Sequence, residues 1–194
     1  MMNLLRFAVL LICLSVNHAA FGQLTLVKDL DGDLLNDTVS LDRSRGVLLC
    51  RLSTLGFPMQ KSKVIADLGS SCGLEAAKNG FKFFNYQMRE GYTCQFRFNP
   101  KVRKMELIGM SRYHDGNANL DGSGESSVNL LTNIYLGNWS YFEQKGKRLR
   151  KTGLIKQRMV IPQTFLEGFS DAQPGLYRQE CDQISRKQAS HLRR

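Results

Sequence analysis

The sequence predicts a mainly β protein: an antiparallel sheet, β-sandwich or open barrel built of hairpins, with few short helices. Three observations carry this. The segments between turn signals are short, several of them alternate polar with apolar residues as half-buried strands do, and helix signals are sparse. In chain order, Leu24 to Val27 reads as a first strand. Thr38 to Asp42 and Gly46 to Leu52 form a hairpin around Arg43-Ser44-Arg45. Leu74 to Lys78 and Phe81 to Tyr86 form a second around Asn79-Gly80, a strong short hairpin signal. Thr93 to Phe98 turns at Asn99-Pro100 and returns as Lys104 to Ile108, which puts Phe96, Phe98, Met105 and Leu107 toward a core. Ser127 to Thr132 and Tyr135 to Phe142 pair around Asn133, with Trp139 and Tyr141 packed on one sheet face. Lys147 to Ile161 mixes basic and β-branched residues, as a late strand with an exposed face would. No internal repeat of solenoid or propeller type occurs.

Residues 1–22 read as a signal peptide. A short basic start ends at Arg6, an apolar run covers Phe7 to Val16, and Ala20-Phe21-Gly22 supplies small residues for cleavage before Gln23. The run is about half the roughly 20 apolar residues a membrane span needs, and the bulky Ile12 before Cys13 argues against a lipid anchor. The expected location is therefore periplasmic or secreted. Residues 23–170 make one β-rich domain, and no later stretch approaches a transmembrane segment. From residue 171 to 194 the chain is polar and basic, and a loosely held C-terminal tail is expected unless Cys181 ties it down.

Cys50, Cys72, Cys94 and Cys181 follow the leader. In an oxidising compartment they permit two disulfides with three possible pairings, and the alternative is buried thiols. Zinc is disfavoured, because no C-x-x-C pair occurs and only His114 and His191 follow the leader. The net charge is +10, of which only Arg6 lies in the leader. Lys145, Lys147, Arg148, Arg150 and Lys151 form a basic segment that reads as a solvated loop or, as an anion-binding patch, suits anionic glycans or phospholipid headgroups. Export and the lack of interleaved aromatics argue against nucleic acid.

The most informative stretch is Asp29-Leu30-Asp31-Gly32-Asp33-Leu34-Leu35-Asn36-Asp37, with carboxylates at loop positions 1, 3, 5 and 9 and Gly32 at the turn. Like charges this close repel by up to about 4 kcal/mol per pair at an effective dielectric near 20, so the arrangement calls for a cation. Calcium, which takes six to eight oxygens, is the expected cofactor. Asp29, Asp31, Asp33 and Asp37 are its candidate ligands, and the Leu35 carbonyl fills a further position. Ser40 at position 12 and Leu34 at position 6 exclude an EF-hand. A second polar loop offers Asp115, Asn117, Asn119, Asp121 and Glu125 as a further metal site or a partner-contact loop, against the plainer reading of a glycine-rich connection.

The first loop resembles the D-x-D-G-D-x-x-x-D calcium loop of FG-GAP and VCBS repeats over about Lys28 to Val39, and that resemblance implies the four aspartates as ligands. With the strand-rich body that follows, the chain looks like bacterial periplasmic proteins of the XAC2610-like type, related in shape to periplasmic lysozyme inhibitors. The stretch from Ile108 to Thr132 looks like a segment that recurs in exported proteins of Bacteroidetes-like bacteria, which bears on localisation alone. The resemblance implies a binding protein, an inhibitor or immunity factor that blocks a cell-wall hydrolase, although no inhibitory residue matches. The alternatives are an envelope protein that binds anionic glycans through the basic segment, and a hydrolase using the 115–125 loop. An enzyme is not expected. His114 is the one histidine inside the domain, Gly122-Ser123-Gly124-Glu125-Ser126 does not fit the G-x-S-x-G elbow, and no phosphate-binding fingerprint occurs.

Overall fold

The computed structural model describes residues 24–192; the predicted leader and Cys13 lie outside the described residues. The fold is mainly β, as expected. Strands β1 (Thr25–Lys28), β2 (Asp37–Asp42), β3 (Val47–Arg51) and β4 (Met59–Lys61) form a four-stranded antiparallel sheet in sequence order. Strands β5 (Ser71–Ala77), β6 (Gly80–Tyr86), β7 (Glu90–Asn99), β8 (Lys104–His114), β9 (Gly124–Asn129), β10 (Ile134–Glu143) and β11 (Arg148–Arg158) form a seven-stranded antiparallel meander. β2 shows how alternation sets the layers: Asp37, Val39 and Leu41 are buried while the residues between them are half-exposed.

The meander buries one face. Across it, Phe83, Cys94, Met110, Val128 and Tyr135 stand opposite one another in register and all lie in the core. Leu26, Val39, Leu48 and Cys50 of the small sheet join the same core. Phe169 closes it, edge-on to Phe83 at 6.1 Å and to Phe96 at 5.1 Å. The Thr93–Ile108 hairpin buries Phe96, Met105 and Leu107 as predicted, with Phe98 packed partly against them. Trp139 and Tyr141 are both buried, and the Trp139 indole donates to Tyr135 Oη at 2.7 Å.

Three expectations are corrected. The β5–β6 turn is one residue off: Ala77 pairs with Gly80, so Lys78-Asn79 forms the tip. Gly80 itself is at φ 118°, where an added Cβ would run into the Phe96 carbonyl, so the glycine is required by strand approach as well as by the turn. The four cysteines are all buried free thiols and none is placed to form a disulfide. The predicted tail, residues 171–194, is instead helix α1 (Ala172–Leu192) across the described part.

This helix is locally well specified. Ser170 Oγ accepts the Ala172 N–H at 3.2 Å and Gln173 Oε1 accepts the Ser170 N–H at 3.0 Å, a reciprocal cap, with Pro174 tolerated in the first turn. Tyr177, Cys181 and Ile184, spaced by four and three, bury one stripe against the core. The seat is fixed by Arg112 of β8. Its guanidinium is almost fully buried, 2.7 Å from Asp182, 3.7 Å from Glu90 and 5.4 Å from the Trp139 ring. No helix of the described residues is long and apolar enough to cross a membrane.

Candidate metal centre

The loop joining β1 to β2 carries the Asp-rich stretch, and Gly32 (φ 91°) and Leu34 (φ 70°) fold it back on itself. Each aspartate is aimed by backbone amides. Asp29 Oδ1 accepts the Gly32 N–H at 2.6 Å and Oδ2 the Leu34 N–H at 3.1 Å. Asp31 Oδ1 accepts the Asp33 N–H at 3.3 Å, and its Oδ2 faces the amide and hydroxyl of Thr54. Asp37 is fully buried: Oδ2 accepts the Leu30 and Asp31 amides at 2.7 and 3.2 Å, and Oδ1 accepts the Ser53 amide at 2.8 Å.

One oxygen from each of Asp29, Asp31 and Asp37 lies within 4.8 Å of the others. That spacing is close enough for one metal ion to contact all three. None of the ion pairs found among the described residues involves the loop. Asp33 stands outside this group. Its Oδ2 takes the Ser53 hydroxyl at 2.7 Å and its Oδ1 the Leu35 N–H at 2.9 Å, and these bonds, the hydroxyl first, hold its carboxyl below the usual carboxylate range. The Ser53 hydroxyl also lies 3.0 Å from Asp37 Oδ1, so one proton is shared between two acceptors.

No protein-family model matches this chain, and neither the curated proteins nor the solved structures contain a match.

Ser53 and Thr54 were not legible as site residues. They open a 3-10 turn, Ser53–Leu55, that packs against the acid loop. A Ser-Thr pair after an apolar strand signals a helical start, but nothing local places that turn against a loop 20 residues earlier.

The second loop is engaged differently. Asp121 Oδ1 accepts the Phe142 N–H at 2.7 Å, Asn119 Oδ1 accepts the Asp121 N–H at 3.1 Å, and the Asn117 N–H reaches the Asp121 carbonyl at 3.0 Å. The Asp115 N–H is held by the Arg89 carbonyl at 2.8 Å, and Glu125 lies apart on β9. Among the described residues the one converging acid group is Asp29, Asp31 and Asp37. His114 Nδ1 lies 3.1 Å from both the Gly116 N–H and the Gly122 carbonyl, accepting from the first or donating to the second according to its tautomer, and in either case that nitrogen is engaged within the loop. In the basic segment, Arg148 and Arg150 pair with Glu143 at 2.9 and 3.3 Å, and the bond from Arg148 leads in holding that carboxyl below its ordinary range. Lys145, Lys147 and Lys151 are exposed. Burial, followed by the negative Asp37 and Asp31, pushes the Cys50 thiol up to about 12; burial likewise raises Cys94 and Cys181, so these thiols stay protonated at neutral pH.

Proposed function

We propose that this chain is an exported, calcium-loaded binding protein, with one structural calcium ion in the Asp29–Asp37 loop. The convergence of Asp29, Asp31 and Asp37 carries the reading, because one carboxylate oxygen of each lies within 4.8 Å of the others, close enough to share an ion, and backbone amides orient these side chains. Asp33, turned here to the Ser53 hydroxyl, and the Leu35 carbonyl are the further ligands of the proposed shell. Calcium titration of the protein tests it: the melting temperature rises with calcium, chelator reverses the rise, and Asp31→Ala with Asp33→Ala removes it. A melting curve indifferent to calcium and chelator sinks the assignment.

The partner we propose is a cell-wall hydrolase, bound as by an inhibitor or immunity factor; the resemblance of the loop and strand-rich body to periplasmic inhibitor-type proteins supports this. The commitment of His114 Nδ1 to its loop and the raised thiols favour binding over catalysis. Turnover of a lysozyme on a peptidoglycan suspension falls in the presence of equimolar protein; unchanged turnover at tenfold excess removes the proposal.

A further inference from the structure

Among the described residues, the seven-stranded sheet buries one face and leaves the other uncovered. Along the open face one cross-strand row runs Tyr86, Gly91, Tyr113, Glu125, Asn138 and Leu154, each in register with the next. The row beside it brings Ser111, Ser127 and Leu136 into line. Together they line a concavity of about 360 Å³, within the range of small-ligand clefts.

Small side chains make the floor. At Gly91 a Cβ would strike both the Tyr86 and Tyr113 rings, which meet edge to face at 5.6 Å, so the glycine brings the two tyrosines together at one end. At the other end stand Leu154, 73% exposed, and Leu136, 37% exposed. The tyrosine hydroxyls are already engaged, Tyr86 with Thr93 at 3.0 Å and Tyr113 with the Gln87 carbonyl at 3.1 Å. Two polar groups between the walls are not. Glu125 is exposed and makes no ion pair with the described residues. Its cross-strand neighbour Asn138 has its amide oxygen sealed from solvent, so the NH₂ is the part of that amide left to reach a ligand.

We infer that this open face binds a glycan that carries acetamido groups. Directly opposed residues hold their Cβ atoms about 4.5 to 5.5 Å apart, so the Glu125 carboxylate and the Asn138 amide present an acceptor and a donor side by side. An acetamido group offers the complement: its N–H goes to Glu125 and its carbonyl to Asn138. Its methyl then meets Leu136 and Leu154, while the C–H face of a neighbouring ring lies against Tyr113. A peptide shares the amide chemistry, but an extended peptide gains its affinity from an unpaired strand edge, and this surface is a sheet face.

The test uses the protein with chitotetraose, the tetramer of N-acetylglucosamine, against cellotetraose, which has the same linkage and a hydroxyl where the acetamido group stands. Calorimetric titration gives saturable binding of chitotetraose, at least about tenfold tighter than cellotetraose, since a site built on hydrogen bonds rejects the analogue that lacks them. Glu125→Ala and Leu154→Ser each weaken it at least about fivefold and leave the melting temperature unchanged, because both side chains are exposed. No saturable binding, equal binding of the two sugars, or full binding by both folded variants overturns the inference. So does preferential binding of an acetylated extended peptide. Chelator leaves the binding intact, which separates this site from the calcium loop.

Discussion

Charge is balanced in opposite ways beneath α1 and in the Asp29–Asp37 loop. Beneath α1, the single buried cation Arg112 is matched by Asp182 and Glu90 and by the face of Trp139, so every charge there meets its complement inside the protein. In the Asp29–Asp37 loop the charges share one sign and are offset only by amide and hydroxyl dipoles. The first arrangement is complete and fixes a helix. The second gathers like charges held by dipoles alone, and it is there that the proposed calcium ion is placed.

The largest effect expected is at the point where the loop becomes structural. Asp37→Asn turns an acceptor of several buried bonds into a group whose NH₂ opposes an amide donor, and should cost roughly 3 kcal/mol or more in urea unfolding. A smaller loss would mean that the loop is not anchored through this residue. Next comes the ion: calcium at 100 times its Kd should add about 2.7 kcal/mol, a rise of roughly 5 to 10 °C in Tm for a domain this size. In chelator, Asp31→Asn should fall within about 0.5 kcal/mol of the parent, because removing one like charge offsets the lost bonds. If Asp31→Asn costs as much without calcium as with it, the contrast between the regions fails.

At the helix seat, Asp182→Ala should cost about 1 to 2 kcal/mol, since Glu90 remains and Asp182 is itself partly exposed. Hydrogen exchange should quicken in α1 before the sheet. The smallest effect is in pH. Asp33 is held below its ordinary value, so its contribution is present above about pH 4 and is lost as pH falls through the lowered value. A melting series from pH 6 to pH 3 should therefore fall less steeply for Asp33→Asn.

The sheet was legible wherever alternation was clean, as in Thr93 to Phe98 and Thr38 to Asp42, because a period of two admits one assignment. The Asn79-Gly80 turn came out one residue displaced, since the approach of Gly80 to Phe96 across the sheet decides the tip and local turn preference does not. The helix was missed although Ser170 to Gln173 spells a capping box. Its apolar stripe is short, with Tyr177, Cys181 and Ile184 set among charged residues, so composition suggested a tail. In the loop, the spacing put four aspartates forward, of which three converge; the packing of Ser53 and Thr54 on the loop and the turning of Asp33 toward Ser53 depend on contacts between the loop and a turn about 20 residues later. The pairing of Glu125 with Asn138 likewise exists only in the register of β9 with β10.

Strand β11 gives the basic segment a further meaning. It is the outermost strand of the meander, eleven residues long, and such an edge is a template on which another copy could polymerise. Its cations, Arg148, Arg150, Lys151, Lys156 and Arg158, repel an identical neighbour, and the bulge opposite Trp139, with Gly153 at φ 75°, bends the edge out of register. Dense polyanions that neutralise this border would remove the repulsion and leave the kink alone to keep the chains from stacking into fibrils.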